Sequence, residues 1–153
     1  MNSEQISQIL NRALGPKIFG GVYAANEIPQ KFLQGPFPNM FVVNTDKYGQ
    51  PGKHWQAIFI LGKNKLEFFD SFGEAPVGDI SNFTKNFPNL KVNKVRVQAN
   101  YELSCGPHVI YFLINRSRGI SFENIIKTLT DNKFKDTYVK FFVHSLVKKF
   151  YKN

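Results

Sequence analysis

The sequence predicts a single α+β domain. Its 153 residues suffice for one sizeable hydrophobic core and hardly for two. The hydrophobic fraction is 42%, and the 11 glycines bring the apolar share to about half, which is typical of a globular protein. The predicted strands and helices are segregated along the chain rather than strictly alternating, which favours α+β. No linker interrupts the pattern, so we expect one domain over residues 1–153.

The N-terminal quarter predicts one helix followed by loop. Residues 3–13 carry apolar side chains at helical spacing, which predicts a short amphipathic helix with Ser3 as its N-cap. Gly15 and the proline after it end that helix. The stretch 20–38 is rich in glycine and proline, which predicts mostly loop.

Three apolar runs in the middle of the chain predict strands. Residues 40–44 form the first, and a turn-rich stretch, 46–52, follows it. The runs 55–61 and 66–69 surround Gly-Lys-Asn at 62–64, which predicts a β-hairpin. Neither run alternates cleanly with polar residues, so both faces of the hairpin should be buried.

The remaining elements are mainly helical. Asp79 is placed to cap a helix that ends before Pro88, and residues 92–97 predict another strand. The apolar segment 105–115 predicts a buried helix with Ser104 at its start. A last helix should bury one aromatic face and turn its lysines to solvent. That face consists of Phe134, Tyr138, Phe141, Phe142, Leu146 and Phe150.

The positive charge is concentrated in two segments. Twenty Lys and Arg against eleven Asp and Glu give a net charge of +9. Residues 127–153 contribute +5 and residues 81–98 contribute +4, so the rest of the chain sums to zero. This pattern is typical of a face that binds a polyanion, although a solvated lysine-rich surface gives the same pattern. The candidate nucleic-acid contacts are Lys85, Lys91, Lys94, Arg96, Lys140, Lys148 and Lys149.

Several classes of protein are disfavoured. No stretch approaches the ~18 apolar residues of a membrane span, and the N-terminus lacks the layout of a secretory signal. One cysteine cannot form an internal disulfide, so we expect an intracellular or intravirion protein that is not secreted. His108 lies three residues after Cys105, but one cysteine and scattered histidines do not supply a closed zinc site, and we expect no metal.

Cys105 is the first candidate for chemistry. It begins a predicted buried helix, where backbone N–H groups and the helix dipole favour a thiolate. Gly106 next to it lets a substrate backbone approach closely. The same free N–H groups can stabilise the oxyanion of an acyl-transfer reaction. The alternative is a buried cysteine that acts as a small hydrophobic residue.

His54 and Asp70 are candidates for its partners. With residues 62–64 as the loop, the expected cross-strand pairs are Leu61 with Lys65, Ile58 with Phe68, and Gln56 with Asp70. His54 and Asp70 then share one sheet face on a diagonal, with Cβ atoms about 7 Å apart or less. A shift in register by one residue would bring Glu67 to that face instead. Asp70 is preferred because it ends its strand, although an Asp at this position also suits a turn.

In this order, these residues resemble the adenovirus proteinase (adenain) family of cysteine proteases, which is related to the proteases that remove SUMO and other ubiquitin-like proteins. The matching segments are Val43-Asn44-Thr45, His54-Trp55 after a glycine-containing gap, Phe68 to Gly73, and Gln98 seven residues before Cys105-Gly106. The resemblance spans residues 20–116. Compact size and an Asn/Lys-rich composition resemble versions carried by virophages and Maverick-type elements.

The resemblance implies a role for each matching residue. Cys105 would be the nucleophile, His54 the general base, and Asp70 the residue that orients the imidazole. The side-chain amide of Gln98 and the backbone N–H of Cys105 would form the oxyanion hole. Trp55 and Gly106 would line the substrate groove.

The resemblance also implies a fold and a function. The fold would be a circularly permuted papain-like one, with a central mixed sheet flanked by helices. The function would be an endopeptidase of virion maturation that cleaves viral capsid and core precursors at Gly-containing sites, as a monomer in the virion or host cell interior. Adenain is activated by DNA and by a peptide that can be disulfide-linked. A lone cysteine excludes that disulfide, so DNA or an untethered peptide is the activator to expect if one is needed.

The sequence leaves three alternatives open. The same triad would serve a protease that removes a ubiquitin-like protein, or an acyltransferase. A basic nucleic-acid-binding virion protein on an inactive protease fold is the alternative outside enzymes.

Overall fold

The structure is a computed structural model that describes residues 1–46, 54–99 and 104–152. The helices are α1 (Ser3–Leu14), α2 (Gly78–Thr84), α3 (Cys105–Ser117), α4 (Phe122–Asp131) and α5 (Lys135–Phe150), with a short 3-10 helix at Gln30–Leu33. The strands are β1 (Phe19–Tyr23), β2 (Asn39–Asn44), β3 (Trp55–Gly62), β4 (Lys65–Phe69) and β5 (Asn89–Val92). This arrangement confirms the α+β class. The turn-rich stretch predicted at 46–52 lies, beyond Asp46, outside the described residues.

The five strands form one mixed sheet in chain order. β1 runs parallel to β2, the pairs β2–β3 and β3–β4 are antiparallel, and β5 is parallel to β4. Because side chains alternate across a strand, β3 and β4 contribute to a hydrophobic core on each face of the sheet. One core packs the sheet against α1, α3, α4 and α5, and the other packs it against α2 and the 3-10 helix. β3 and β4 are therefore buried on both faces, as predicted.

The first two elements differ in detail from the prediction. Asn2, not Ser3, caps α1: its side chain accepts from the backbone N–H of Gln5, whose side chain accepts from the N–H of Asn2 in return. The region predicted as loop contains β1, because glycine there serves close packing rather than a turn. A Cβ on Gly20 would lie 2.8 Å from the ring of Phe32.

The hairpin has the predicted register over most of its length. Ile58 pairs with Phe68 as expected, but Lys65 pairs with Gly62 and not with Leu61. An irregularity in the ladder just before Gly62 accounts for the difference, and the loop is shortened to two residues. The register at the other end brings His54 and Asp70 to the same end of the hairpin.

The strand predicted at 92–97 is largely wrong. β5 covers Asn89–Val92, and the chain leaves the sheet at Asn93. The buried Asn93 side chain hydrogen-bonds both the N–H and the carbonyl of Asp70. These side-chain bonds take the place of further backbone pairing between β4 and β5. Asp79 lies in the first turn of α2 without capping it, since the N-cap is Val77.

The last helix buries a different stripe from the one predicted. Val139 and Val143, four residues apart, are buried against the core. Phe134 and Phe141 are 75% and 69% exposed, so including them in the buried face was wrong, and Tyr138 is 39% exposed. Phe142, Leu146 and Phe150 pack against the core as expected. None of the helices in the described part of the chain is long and apolar enough to cross a membrane.

Candidate active site

Cys105 is the first residue of α3, as the sequence predicts. The backbone N–H groups of Trp55 and Gly106 and the side chain of His54 hydrogen-bond its sulfur. Burial raises the pKa of the thiol, but these bonds and the charge of His54 outweigh burial and lower the pKa below its usual value. These contacts therefore favour the thiolate form of Cys105 over the thiol.

His54 immediately precedes β3 and lies between the sulfur and a carboxylate. Its Nε2 hydrogen-bonds Asp70 Oδ1, which leaves Nδ1 to face Cys105. Burial lowers the pKa of the imidazole, yet the hydrogen bonds to Asp70 and Cys105 and their charges together raise it to about 9. His54 is therefore an imidazolium at neutral pH, and its positive charge beside Cys105 favours the thiolate form of the thiol.

Asp70 follows β4 and is completely buried. Besides His54, its carboxylate accepts the backbone N–H groups of Phe72 at 3.2 Å and Glu74 at 3.1 Å. Asn93 donates to the carbonyl of Asp70 at 2.6 Å and accepts its N–H at 2.9 Å. Both main chain and side chain of Asp70 are thus fixed, which is what a group that orients an imidazole requires.

Glu67, the alternative to Asp70, points to the other face of the sheet. Its two carboxylate oxygens accept Nε and Nη2 of Arg116 at 2.7 and 3.0 Å. The pair is almost fully buried between β4 and α3. Glu67 is therefore a partner of α3 and does not contact His54.

The turn after Asp70 covers the imidazole. The ring of Phe72 stacks on His54, with centroids 4.5 Å apart, and the guanidinium of Arg96 lies 4.8 Å from the centre of the Phe72 ring. Gly73 has φ +74°, and a Cβ there would lie 2.8 Å from the backbone of Val95. Only glycine lets the turn approach the 95–96 segment this closely.

Gln98 is buried, and its amide has a defined orientation. Ser71 donates its hydroxyl to the amide oxygen of Gln98 at 2.5 Å, and the carbonyl of Ser71 accepts the Gln98 N–H at 2.9 Å. Because the oxygen is occupied in this way, the NH₂ group is the part of the amide directed elsewhere. This orientation suits a donor to an oxyanion.

Trp55 and Gly106, the two predicted groove residues, are both in contact with Met1. The indole N–H of Trp55 donates to the carbonyl of Met1 at 3.2 Å. A Cβ on Gly106 would lie 2.9 Å from Met1 Cβ, so Gly106 permits this approach. Beside the nucleophile, these two residues therefore accommodate a peptide carbonyl and an apolar side chain.

His108 lies on α3 and contacts a carboxylate. Its Nε2 bonds Asp136 Oδ1 at 3.0 Å, and burial outweighs that carboxylate and lowers the pKa of the ring. Within the described ranges, no group of three or more His, Cys, Asp or Glu is arranged to hold a metal ion.

The basic residues proposed for nucleic-acid contact are not equally available. Lys91 pairs with Glu123 at 2.5 Å, and Arg96 donates to the carbonyl of Gln98 at 2.6 Å beside the site. The others lie exposed on the surface: Lys85, Lys94, Lys140, Lys148 and Lys149.

No site role was predicted for Ser71, Phe72, Asn93 or Asp136. The first three contact predicted site residues, and Asp136 bonds Ala99 and Ser104, which are chain neighbours of Gln98 and Cys105. Ser71 and Phe72 follow Asp70 directly in the sequence, so their position next to a predicted site residue could have indicated that they belong to the site. Asn93 and Asp136 act across distances of more than 20 residues and carry no local signal in the sequence.

Viral cysteine proteases are among the proteins similar to this chain. It is 31% identical over 96 residues to an Acanthamoeba polyphaga mimivirus protein named as a thiol protease, covering 56% of this chain and 32% of that protein. It is 30% identical over 105 residues to a cysteine protease of African swine fever virus from a Malawi tick isolate, covering 59% and 38%. The counterpart from a Kenyan pig isolate, named a SUMO-1 cysteine protease, is 28% identical over 107 residues, covering 60% and 39%. No protein-family model matches the chain.

Solved structures share the fold. The pS273R protease of African swine fever virus superposes with a TM-score of 0.62 at 20% identity, covering 93% of this chain and 65% of that one. The central domain of an uncharacterized Legionella pneumophila protein gives a TM-score of 0.55 at 14% identity, covering 97% and 98%. The chain thus has the fold of a viral cysteine protease, and its sequence matches span between 32% and 39% of the length of the curated relatives.

Proposed function

We propose that the chain is a cysteine peptidase whose nucleophile is Cys105. The observation that carries the proposal is the continuous series of hydrogen bonds from the Cys105 sulfur through His54 to the buried carboxylate of Asp70. A thiolate beside an imidazolium, held by a fixed carboxylate, is the arrangement that acyl transfer by cysteine requires. The likeness to viral cysteine proteases supports the same conclusion.

The reaction begins with attack on the substrate carbonyl. The Cys105 thiolate attacks the carbonyl carbon, and the carbonyl electrons move to oxygen. The backbone N–H of Cys105 and the NH₂ of Gln98 then donate to that oxyanion, where one such donor is typically worth about 3 kcal/mol. Ser71 keeps the Gln98 amide in the orientation that presents NH₂ rather than oxygen.

His54 transfers protons in both halves of the reaction. Its imidazolium protonates the departing amine as the C–N bond breaks, which leaves a thioester on Cys105 and a neutral imidazole. The imidazole then takes a proton from water, whose oxygen attacks the thioester carbonyl. The tetrahedral intermediate then collapses as its C–S bond breaks, which releases the acid product and the Cys105 thiolate beside the His54 imidazolium. Asp70 holds the ring throughout.

The proposed substrates are viral precursor proteins cleaved at Gly-containing sites during virion maturation, by a monomer in the virion or host cell interior. The viral origin of the relatives and the adenain-like order of His54, Asp70, Gln98 and Cys105 support this. A circularly permuted papain-like topology belongs to the same proposal. A deconjugase of a ubiquitin-like protein is the second candidate, favoured by the SUMO-1 name of the African swine fever virus relatives.

The test is a fluorogenic peptide series with the wild type and Cys105→Ala. We expect hydrolysis after Gly-Gly and Gly-X sequences, slower hydrolysis when a large residue replaces glycine before the cleaved bond, and none with the variant. Hydrolysis unaffected by Cys105→Ala would contradict the proposal. Faster cleavage of a folded ubiquitin-like fusion than of capsid-precursor peptides would favour the deconjugase.

DNA is proposed as an accessory ligand, not as a required cofactor. The exposed Lys140, Lys148 and Lys149 of α5 support it through their charge. If phosphates are neutralised by these lysines, binding of a fluorescent duplex should weaken steeply as salt rises from 50 to 200 mM, by about tenfold or more for a few contacts. Affinity that does not change with salt would refute this proposal. Peptidase assays with and without the duplex, and with and without added virion peptides, determine whether DNA or a peptide activates the enzyme.

A further inference from the structure

Asp136, outside the triad, lies where three donors from the active-site region meet. It is the second residue of α5, and its carboxylate is partly buried against the start of α3. The Ala99 N–H donates to Oδ2 at 3.0 Å, and the Ser104 hydroxyl donates to Oδ1 at 2.7 Å. His108 Nε2 bonds Oδ1 at 3.0 Å.

Two of these donors lie next to proposed oxyanion-hole residues. Ala99 directly follows Gln98, and Ser104 directly precedes Cys105. One carboxylate therefore holds both ends of the connection between Gln98 and Cys105. The Gln98 side of this connection is fixed on its other flank by Ser71.

The use of Ser104 is unusual for its position. Ser104 is the N-cap of α3, where a serine hydroxyl ordinarily accepts an N–H of its own helix. The Ser104 side chain makes no capping bond to α3. Its buried hydroxyl instead points away from α3 and donates to Asp136. The hydroxyl therefore contributes to holding α3 against α5 rather than to capping α3.

Asp136 is charged, which strengthens each of these bonds. Burial raises its pKa, but the bonds from His108 and Ser104 outweigh burial and lower the pKa below its usual value. The first turn of α5 also favours a negative charge at this position. Hydrogen bonds to a carboxylate are about twice as strong as neutral ones.

We propose that Asp136 is a positioning residue that sets the distance and orientation between Gln98 and Cys105. The inference rests on the proposed peptidase function and adds a residue to it. Asp136 acts through the Ala99 and Ser104 backbone and does not contact the substrate. The oxyanion hole needs two donors aimed at one point, and a displacement of about 1 Å can cost about 100-fold in rate.

The test compares Asp136→Asn with the wild type on an acetyl-Gly-Gly-aminomethylcoumarin peptide, and measures Cys105 alkylation by iodoacetamide in parallel. Asp131→Asn is the matched control, since it makes the same charge change in an exposed ion pair on α4. We expect kcat per alkylatable thiol to fall by about 10- to 100-fold with KM within about twofold. Alkylation should change by less than about twofold, because the triad is intact. The Ala99 amide should also exchange with deuterium faster, measured by NMR.

The outcomes separate the inference from the proposed function. A wild type that hydrolyses the peptide, with Asp136→Asn equal to it, overturns the inference alone. A parallel fall in turnover and alkylation also overturns the inference, because a purely structural role would act on the whole fold. Unchanged exchange of the Ala99 amide overturns it as well, because Asp136 would then not hold that N–H group. A wild type with no turnover overturns the proposed function and the inference together. If Asp136→Asn does not fold, Ser104→Ala should show a smaller loss of kcat in the same direction, and its absence overturns the inference.

Discussion

Replacing Asp70 by asparagine should lower the pKa of His54, because the amide removes the negative charge that supports the imidazolium. The structure gives His54 a pKa of about 9, reached although burial alone lowers it. A hydrogen bond to a charged group contributes about 1.5–3 kcal/mol, and each pKa unit corresponds to about 1.36 kcal/mol. We therefore expect the His54 pKa in Asp70→Asn to fall by about one to two, to about 7–8.

The sign of the change determines what happens to the thiol. A weaker imidazolium stabilises the Cys105 thiolate less, so the pKa of Cys105 should rise in the variant. The pH range in which thiolate and imidazolium coexist lies between the two pKa values, and it should narrow from both ends.

The assay is an NMR titration of the His54 ring nitrogens between pH 5 and 10, alongside thiolate absorbance at 240 nm. Asp131→Asn serves as the control for a lost surface carboxylate. A His54 pKa that is the same in Asp70→Asn and the wild type would refute the assignment of Asp70 as the supporting carboxylate. So would a Cys105 pKa that falls in the variant.

Three further predictions follow from the geometry. Gln98→Ala should lower kcat by about 10²–10³ with KM and Cys105 alkylation little changed, because it removes one oxyanion donor; equal loss of alkylation would contradict this. Gly73→Ala should lower the free energy of unfolding by about 2–4 kcal/mol in urea titrations, since it adds a Cβ at positive φ against neighbouring backbone. Gly119→Ala, at φ +87° in open space, should cost only about 1–2 kcal/mol, and equal costs would refute the packing argument. Arg116→Met should lower the free energy of unfolding by about 3–5 kcal/mol, because it leaves the Glu67 carboxylate buried without a partner. The double variant with Glu67→Leu should recover most of that loss. No recovery would show that lost packing, and not the unpaired charge, explains it.

The local patterns of the sequence were sufficient to predict the hairpin and the proximity of His54 to Asp70. Strand pairing has a period of two, so the position of one turn decides which side chains share a face. The predicted Ile58–Phe68 pair was correct, and with it the approach of His54 to Asp70. The helix that begins at Cys105 was predicted from its apolar run and from Ser104 at its start.

Other features depend on contacts between distant segments. β1 was missed because a glycine-rich composition is the same for a loop and for a strand whose glycines allow close packing. The buried stripe of α5 depends on where α3 lies, so Phe134 and Phe141 were wrongly included in it. Asn93 and Asp136 are polar residues whose partners are more than 20 positions away, and only the folded chain brings them together.

The central claim is that Cys105 is an activated thiolate because His54 is beside it. The most direct measurement is the pH dependence of Cys105 alkylation by iodoacetamide in the wild type and in His54→Ala. We expect rapid alkylation of the wild type near pH 6, and a variant whose alkylation rises only near the ordinary cysteine pKa of about 8.5. Identical profiles, with alkylation in both appearing only near pH 8.5, would contradict the account.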